Sequence, residues 1–424
     1  MQRDPLHFLM SLYSEYGDVV RFRFGPEVLY LISHPRDLKR VFQENGKNYT
    51  KQTRVWQKLA PVFGRGLLTN DGDSWLRQRR IAQPAFHHER VAAIAAIVSG
   101  ATAARLKQWQ RHSTVDVLAE MMELTLDILT EALFGLDWKT ESRRFSEAVN
   151  VVLHHINAQT RSILYYIPTA VPIPANLRFV RALHTVHEMV GRIIQDRRRS
   201  GGDRGDLLSF LMNARDAETG ETMSDAQLMD EIKTFLVAGH ETTANALAWT
   251  FFLLGKQPQT RRALTQEVAR LSSRAPTLQD LPQLQLTGRV LRESMRLYPP
   301  VWFLGRRATQ PDRLGEHALP AGAIVMPSFY VTHHRSDIWS DPEGFDPDRF
   351  LPDRFSPLPA FSFVPFGGGP RQCIGNEFAL LEMQIVVAML HQQTHLELLP
   401  EQVVEPEPAV TLRIKNGIKM RLIH

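Results

Sequence analysis

The sequence predicts a mainly α-helical protein with a minor β portion, built as one large domain. From about Asp73 to Lys256 apolar residues recur with the 3.6-residue period of amphipathic helices. Short alternating runs are confined to the two ends of the chain, which indicates that both ends contribute strands to one fold. The 424 residues are 43% hydrophobic and 22% charged, so a disordered or fibrous chain is excluded.

The individual elements follow from local patterns. A β-hairpin is expected where Val19–Phe24 and Val28–Ile32 flank a Gly-Pro turn. Helices are expected over segments that share the 3.6-residue period: Val91–Gln110, Asp116–Leu133, Phe179–Arg199, Asp225–Leu254, Gln285–Leu297 and Asn376–His391. Ser224 and Gln227 have the spacing of a capping box before the longest of these helices. Roughly thirty residues at about 1.5 Å each allow that helix to cross a whole domain.

Charge and cysteine content exclude several classes of protein and site. Lys and Arg total 50 against 45 for Asp and Glu, and this net charge of +5 is too small for a dedicated nucleic-acid-binding protein. Cys373 is the one cysteine, which excludes a disulfide framework and a multi-cysteine metal centre. The sequence shows no apolar run near 18 residues and no signal-peptide pattern. We therefore expect a cytoplasmic protein that needs no membrane, unless an N-terminal anchor has been removed.

The segment Phe366–Gly375 carries the strongest chemical signal. Its three consecutive glycines permit left-handed backbone and close packing against a flat object. Cys373 precedes a predicted helix, whose free N–H groups and dipole favour a thiolate, and Arg371 supplies a cation for an acidic group of a ligand. A lone thiolate beside an arginine suits a haem iron, whereas a buried cysteine in an ordinary loop is the alternative.

At every fixed position this segment matches the haem-binding signature F-x-x-G-x-R-x-C-x-G, so the chain resembles the cytochrome P450 superfamily. The resemblance implies one P450 haem domain over residues 1–424, with a long central helix over the haem. It implies haem b as the cofactor and Cys373 as the iron ligand. The cofactor-binding residues that it implies are Trp75, Arg79, Ala238, Arg306, Phe366, Gly367, Arg371 and Gly375.

Two of these assignments rest on further family motifs. Trp75 and Arg79 form W-x-x-x-R, whose side chains bind a haem propionate in the family. A core tryptophan and a solvated arginine are the alternative explanation for this spacing. Arg306 resembles another propionate arginine of the family, and the neighbouring Arg307 leaves that choice open.

Glu293 and Arg296 lie three residues apart, on one face of a predicted helix. An ordinary surface ion pair of small energy is one explanation of this spacing. The later segment P-D-R-F, which contains Arg349, is joined to this pair in the family. The resemblance therefore implies a buried structural triad of Glu293, Arg296 and Arg349.

The segment Ala238–Thr243 matches the family pattern (A/G)-G-x-(D/E)-T-(T/S) inside the longest predicted helix. Glycine in the middle of a helix costs about 1 kcal/mol, and such a local exception favours a functional explanation. By resemblance, Gly239 leaves room for dioxygen, Thr242 bonds to it and Glu241 connects the site to solvent protons.

The resemblance implies a monomeric monooxygenase that activates dioxygen and hydroxylates or epoxidises a hydrophobic substrate, such as a fatty acid or terpenoid. Because the chain has no flavin or iron–sulfur motif, electrons are expected from a ferredoxin or flavodoxin with its reductase. A peroxide-driven peroxygenase and a haem-based sensor are the alternatives, and the intact Glu241–Thr242 pair favours the monooxygenase. Candidates for the substrate pocket, for which core packing is the competing explanation, are Phe235, Val237, Val301, Phe303 and Leu304.

Overall fold

The computed structural model describes residues 4–86, 88–135, 139–160, 170–271, 274–400 and 402–423. Fifteen α-helices make up most of these ranges. They are α1 (Pro5–Tyr16), α2 (Pro35–Lys39), α3 (Arg54–Phe63), α4 (Gly72–Ala82), α5 (His88–Trp109), α6 (Val117–Phe134), α7 (Lys139–Thr160), α8 (Pro174–Ser200), α9 (Leu207–Asn213), α10 (Asp225–Lys256), α11 (Pro258–Ala269), α12 (Gln285–Leu297), α13 (Phe329–His333), α14 (Pro352–Phe355) and α15 (Asn376–Gln393).

Short β-strands make up the smaller part of the described fold. They are β1 (Val19–Phe24), β2 (Glu27–Ile32), β3 (Tyr49–Thr50), β4 (Thr114–Asp116), β5 (Arg306–Ala308), β6 (Asp312–Leu314), β7 (His317–Leu319), β8 (Ile324–Pro327), β9 (His395–Leu398), β10 (Pro406–Pro408), β11 (Leu412–Ile414) and β12 (Lys419–Ile423). Five strands form a sheet in the order β1-β2-β8-β5-β3, and three form a sheet in the order β4-β12-β9. The hairpins β6-β7 and β10-β11 each form a two-stranded sheet.

The five-stranded sheet confirms that strands from the two ends of the chain meet in one fold. In the predicted hairpin, β1 and β2 pair antiparallel, with Val19 opposite Ile32 and Phe24 opposite Glu27. Strand β2 also pairs in parallel with β8, which lies almost 300 residues later in the chain. The mainly helical fold with a minor β portion is therefore the fold that the sequence predicted.

The predicted helices correspond to α5, α6, α8, α10, α12 and α15. Helix α8 begins at Pro174, earlier than predicted, because proline at the first helical position is already fixed at a helical φ. The predicted capping box of α10 forms only in part. The Ser224 side chain accepts a hydrogen bond from the Gln227 N–H at 3.3 Å, whereas the Gln227 Oε1 atom accepts one from Arg77 at 3.4 Å.

Helix α10 runs through the core of the described structure and packs against α6, α8, α12 and α15. The ring of Trp249 is fully buried and stacks on Tyr298, with 3.7 Å between the ring centroids. His240 joins α10 to α6, because its Nε2 lies 2.9 Å from the carbonyl oxygen of Met122 and burial lowers its pKa to about 4. His240 is therefore a packed neutral residue.

Although α10 is long and buried, none of the described helices has the length and apolar character needed to cross a membrane.

Candidate functional site

The cysteine loop is held by backbone hydrogen bonds. The Cys373 N–H donates to the Phe366 carbonyl at 2.9 Å, which closes the bend between the two residues. Helix α15 begins directly after it, and the Ala379 N–H donates to the Gly375 carbonyl at 2.9 Å. Cys373 therefore lies on a fixed bend at the start of a largely buried helix.

The three glycines of this loop have different neighbours. Gly369 has a φ of +67°, and a Cβ there would overlap the carbonyl group of Phe42. A Cβ on Gly368 would overlap the ring of Phe361. Gly367 has a φ of +70° and nothing within 4 Å of the Cβ position. Two glycines therefore allow close packing within the protein, and the third borders open space.

The Cys373 side chain is exposed, but protein atoms surround it closely enough for burial to raise the pKa of the thiol. The sulfur is therefore accessible although protein atoms surround it. The Gly375 N–H lowers the pKa, as predicted for a cysteine at a helix terminus, and the Arg79 guanidinium lowers it as well. Desolvation outweighs both groups, so the pKa of the free thiol lies above its ordinary value.

Helix α10 presents a partly exposed face in the middle of a buried stretch. Ala238 and Thr242 lie one turn apart on this face, and both are partly exposed, whereas residues 231–237 and 243–254 are buried. The Thr242 hydroxyl donates a hydrogen bond to the Ala238 carbonyl at 2.6 Å. We call the exposed surface of Ala238 and Thr242 the open face of α10. A ligand next to the open face can contact the hydroxyl oxygen of Thr242.

The middle of α10 and the cysteine loop border the same aromatic side chain. The rings of Phe86 and Phe235, the latter on α10, lie 5.3 Å apart between centroids in an edge-to-face arrangement. The same Phe86 ring lies 3.9 Å from the Cβ position of Gly375. Phe86 therefore links the middle of α10 to the end of the cysteine loop.

Gly239 has a packing role at the contact between α10 and α6. A Cβ at this position would lie 3.2 Å from Leu129 Cδ2 on α6. The glycine therefore allows α10 and α6 to approach closely, and this explains why a poor helix former is tolerated there. Gly239 is itself partly exposed beside Ala238, so its role as space for dioxygen stays a prediction.

Glu241 is buried and directed away from the neighbouring threonine hydroxyl. Its carboxylate oxygen Oε1 accepts a hydrogen bond from the Thr411 hydroxyl at 2.9 Å. Burial raises the pKa of Glu241. None of the hydrogen bonds between described residues joins the side chains of Glu241 and Thr242, so a proton moving from one to the other needs an intervening donor.

Three buried or half-buried cations lie close together on the other side of the cysteine loop. We call Lys51, Arg306 and Arg371 the cationic cluster. Burial lowers the pKa of all three side chains, and their mutual repulsion lowers that of Lys51 and Arg306 further, the latter to about 10. Asp71 pairs with Arg371 at 2.6 Å and offsets one of the charges. The remaining positive charge is typical of a site for an anionic ligand.

Aromatic rings and backbone carbonyls hold these cations in place. Arg371 lies over the ring of Trp75, 4.1 Å from its centroid, and Arg306 lies 5.7 Å from the ring centroid of Trp56. The Lys51 ammonium donates to the carbonyl of Leu68 at 2.6 Å. Sequence reasoning identified Arg306, Arg371 and Trp75 as cofactor-binding candidates but missed Lys51.

The structure distinguishes the two adjacent arginines on β5. Arg306 is buried within the cationic cluster. Arg307 instead donates to the carbonyl groups of Gln52 and Gly322, at 2.6 and 3.0 Å, in an exposed position. Arg79 donates to the Gln372 carbonyl at 2.9 Å, so helix α4 is fastened to the backbone of the cysteine loop.

The residues of the predicted triad are in contact and buried. Arg296 donates to both carboxylate oxygens of Glu293, at 2.7 and 2.8 Å, and Arg349 donates to Oε1 at 3.2 Å. Arg296 also donates to the carbonyls of His333 and Pro342, at 2.8 and 2.7 Å. The triad thus ties α12 to the segment that leads to the cysteine loop.

Replacing Glu293 by Gln is expected to lower the free energy of unfolding by about 3–5 kcal/mol, because two buried guanidinium groups lose their counter-charge. Urea denaturation followed by circular dichroism measures this change. Asp348→Asn is the matched control, since Asp348 pairs with Arg289 at 3.2 Å but is 55% exposed. The control should change stability by less than about 1 kcal/mol. Equal effects of both substitutions would contradict a stabilising role specific to the triad.

The structure separates the five substrate-pocket candidates. Phe235 and Val237 are buried at 7% and 4% exposure and pack in the main core, which favours the competing explanation of core packing for both. Val301, Phe303 and Leu304 are partly exposed. Phe303 packs edge-to-face on Trp302, with 4.5 Å between ring centroids.

Comparison with known families adds a decisive observation. The family model described as cytochrome P450 matches residues 1–421. The chain belongs to the cytochrome P450 family. A crystal structure of the cytochrome P450DA heme domain superposes with a TM-score of 0.90 at 25% identity, over 99% of this chain and 92% of that one. The P450 fold predicted from the resemblance is thus confirmed.

Similar P450 proteins include bacterial enzymes from Streptomyces. Cyclooctatin synthase of Streptomyces melanosporofaciens is 38% identical over 97% of this chain and 90% of its own length. Cyclooctat-9-en-7-ol 5-monooxygenase of the same organism is 37% identical, over 94% and 86%. Pentalenene oxygenase of Streptomyces avermitilis is 32% identical, over 100% and 93%. The protein is therefore a P450 monooxygenase.

P450 membership implies a haem cofactor, and the residues of this site fit one. The Cys373 sulfur is exposed and is the type of ligand that a P450 haem iron takes. The free Cβ position of Gly367 and the open face of α10 leave room for a large group. The cationic cluster supplies charge that complements carboxylates.

Proposed function

We propose that the protein is a haem b monooxygenase that oxidises an apolar terpenoid. When bound, haem b supplies the activation of dioxygen and the insertion of one oxygen atom into the substrate. The observation that supports this function best is the exposed sulfur of Cys373 on a fixed bend, with the middle of α10 linked to the same loop through Phe86. Cys373 is the one protein ligand to the iron.

The cationic cluster binds the carboxylates of the cofactor. Arg306 and Arg371 are held by aromatic rings and backbone carbonyls, so their guanidinium groups are oriented before the ligand arrives. Trp75 supports Arg371, and Arg79 fixes the loop that carries Cys373. Lys51 adds a further ammonium group, which has one donor left after its bonds to the carbonyls of Leu67 and Leu68.

The open face of α10 orients the reacting groups on the substrate side. Thr242 accepts a hydrogen bond there, since its own proton is donated to Ala238. Glu241 stores a proton in a site that excludes water, because burial raises its pKa toward the working range of a general acid. Electrons come from a ferredoxin or flavodoxin with its reductase.

The names of two relatives indicate the class of substrate. They are a cyclooctat-9-en-7-ol 5-monooxygenase and a pentalenene oxygenase. We expect these terpenoids, or close analogues, to bind near the partly exposed Val301 and Leu304, where burial of apolar surface contributes about 25 cal/mol per Å². Difference spectra during titration of the haem-loaded protein measure binding. Turnover with a ferredoxin, its reductase and NADPH should then give a product one oxygen atom heavier. Spectral response only to small charged compounds would contradict the proposal.

Lys51→Met separates a cofactor-binding role from a packing role. Loss of charge-assisted hydrogen bonds worth about 1.5–3 kcal/mol should speed haem loss to a scavenger protein by roughly 10- to 100-fold. In the haem-free protein the same change removes repulsion from Arg306 and Arg371, so the free energy of unfolding should hardly fall.

Lys47→Met is the matched control, because Lys47 is exposed and lies four residues earlier. It should leave both haem loss and stability unchanged. If Lys51→Met destabilised the haem-free protein while haem loss stayed at the wild-type rate, Lys51 would be a packing residue and not a ligand to the cofactor.

A further inference from the structure

The hairpin formed by β10 and β11 is anchored against the middle of the molecule. The Trp249 indole N–H, on α10, donates to the Leu412 carbonyl at 3.2 Å. The Trp302 indole N–H donates to the Ala409 carbonyl at 2.8 Å, and the Leu412 N–H donates to the Pro300 carbonyl at 2.8 Å. The hairpin is therefore held in a fixed position relative to α10 and to the segment that follows α12.

Two side chains of this hairpin reach the buried carboxyl group of Glu241. The Thr411 hydroxyl donates to Oε1 at 2.9 Å, and Arg413 Nε lies 3.7 Å from the same oxygen. Asn245, one turn further along α10, donates to the Glu241 backbone carbonyl at 2.9 Å and lies 3.4 Å from the Thr411 hydroxyl. Glu241 is only 3% exposed, so these groups make up its polar surroundings in the described structure.

Charges alternate from Glu241 toward the surface. Arg413 on β11 lies directly opposite Glu407 on β10 in the antiparallel register. The Arg413 side chain is 27% exposed, so its far end is accessible to solvent. Of the charged groups in the described ranges, Arg413 lowers the pKa of Glu241 and Glu407 raises it, while the Thr411 hydroxyl also lowers it.

The contact between Arg413 and Glu241 lacks a hydrogen bond. This is the arrangement that we expect for a carboxyl group that changes its charge. At 3.7 Å, Nε is too far from Oε1 for a hydrogen bond, and among the described residues this buried Nε has no hydrogen-bond partner. The buried Oδ1 of Asn245 likewise has none within the described chain. A permanently ionised structural pair is expected to be closed and fully hydrogen-bonded. The unpaired Arg413 Nε and the unpaired Asn245 Oδ1 can instead change their contacts with the carboxyl group when Glu241 loses or gains a proton.

We propose that Thr411 and Arg413 are positioning residues that hold Glu241 and control the exchange of its proton with solvent through the β10–β11 hairpin. The proposal rests on the proposed role of Glu241 as a proton donor. When Glu241 releases its proton toward the open face of α10, the carboxylate that remains is stabilised by Arg413 and by the Thr411 hydroxyl. A solvent proton then restores the carboxyl group, and the guanidinium stays charged throughout.

The experiment uses the haem-loaded protein and infrared difference spectra recorded across a pH series. The protonated carboxyl band of Glu241 is identified by its loss in Glu241→Gln. In Arg413→Gln and in Thr411→Val the pH midpoint of this band should rise, because each change removes a group that favours the carboxylate. Arg413→Lys should keep the midpoint nearer to wild type, since it retains the charge.

Lys415→Gln is the matched control on the same hairpin. Lys415 is 53% exposed and pairs with Glu405 at 2.9 Å, so its loss changes the net charge equally without touching Glu241. Its midpoint should equal that of wild type. An unchanged midpoint in both Arg413→Gln and Thr411→Val would overturn the proposal, and Thr411→Val alone decides it if the arginine variant does not fold.

A second measurement distinguishes failure of this proposal from failure of the proposed function. The fraction of electrons recovered as hydrogen peroxide should rise in Arg413→Gln and stay at the wild-type value in Lys415→Gln. If Glu241→Gln itself kept wild-type coupling, Glu241 would not be the proton donor. The midpoint shift in Arg413→Gln would still report whether the hairpin controls the carboxyl group.

Discussion

Replacing Cys373 by alanine is expected to abolish the thiolate spectrum of the bound haem while the fold remains. The chain has no second cysteine, so no other thiolate can take the place of the lost one. The bend itself depends on the Cys373 N–H bond to Phe366, which alanine retains. The reduced carbon monoxide complex should therefore lack the Soret band from which the family takes its name. The free energy of unfolding of the haem-free protein should change by less than about 1 kcal/mol.

Gln372→Ala is the control for this experiment. Gln372 is exposed, and the carbonyl that Arg79 contacts at 2.9 Å belongs to the backbone, so alanine keeps it. This variant should show the full thiolate spectrum. Retention of that spectrum in Cys373→Ala would exclude Cys373 as the ligand. A fold lost in Cys373→Ala but kept in Gln372→Ala would instead indicate that the sulfur supports packing.

The helices and the cysteine loop that position the site could be predicted because they depend on local sequence patterns. Helix α12 has the predicted bounds, Gln285–Leu297, and α10 starts at the predicted cap, Ser224. A long amphipathic period and a cap residue act within a few turns of chain, so the sequence contains the needed information. The Cys373 bend could be found for the same reason, since its glycines, arginine and cysteine are adjacent.

The charged surroundings of the site could not be predicted in the same way. Lys51 lies in a short polar stretch without any informative spacing. It becomes part of the site because the ring of Trp56 and the carbonyls of Leu67 and Leu68 enclose it after folding. Arg413 reaches Glu241 across more than 170 residues of sequence. Such contacts depend on tertiary packing, which a periodic pattern does not specify.

A sequence pattern also does not specify the direction in which an individual side chain points. The sequence indicates that Gly239 is unusual in a helix, but only the packing of α6 shows that the missing side chain makes room for Leu129. The same holds for Val237, whose apolar character fits a pocket and a core equally well. Its 4% exposure decides for the core. Motifs thus identify which residues are special, and packing identifies what each one contacts.

Replacing Thr242 by alanine is expected to uncouple electron consumption from product formation. The hydroxyl lies on the open face of α10 and donates its proton to Ala238 at 2.6 Å, so it offers an acceptor to a proton donor in the adjacent space. Alanine removes this acceptor but keeps the helix. Haem and substrate binding should be nearly unchanged, while more electrons leave as hydrogen peroxide. Oxygen uptake, peroxide and product are measured in the same reaction.

Thr250→Ala is the matched control on the same helix. Thr250 makes the same type of bond, donating to the Ala246 carbonyl at 2.7 Å, but it is fully buried away from the open face. It should lose some stability and keep wild-type coupling. Uncoupling of equal size in both variants would show that a defect in α10, and not the hydroxyl at the open face, causes the effect.

Glu241→Gln is expected to slow turnover by about 10²–10⁴-fold, the usual contribution of a general acid. Glutamine fills the same volume and can still accept a hydrogen bond from Thr411, but it has no proton to release in the working pH range. Because burial raises the pKa of Glu241, the wild-type carboxyl keeps its proton to higher pH than a solvated glutamic acid. The wild-type rate should therefore fall as the pH rises through that pKa, and the variant should lose this dependence.

Hydrogen peroxide supplied directly should partly restore product formation in Glu241→Gln and in Thr242→Ala, since it enters with its protons already in place. Wild-type rate and coupling in both variants would remove Glu241 and Thr242 from the proton route and leave the role of Cys373 untouched.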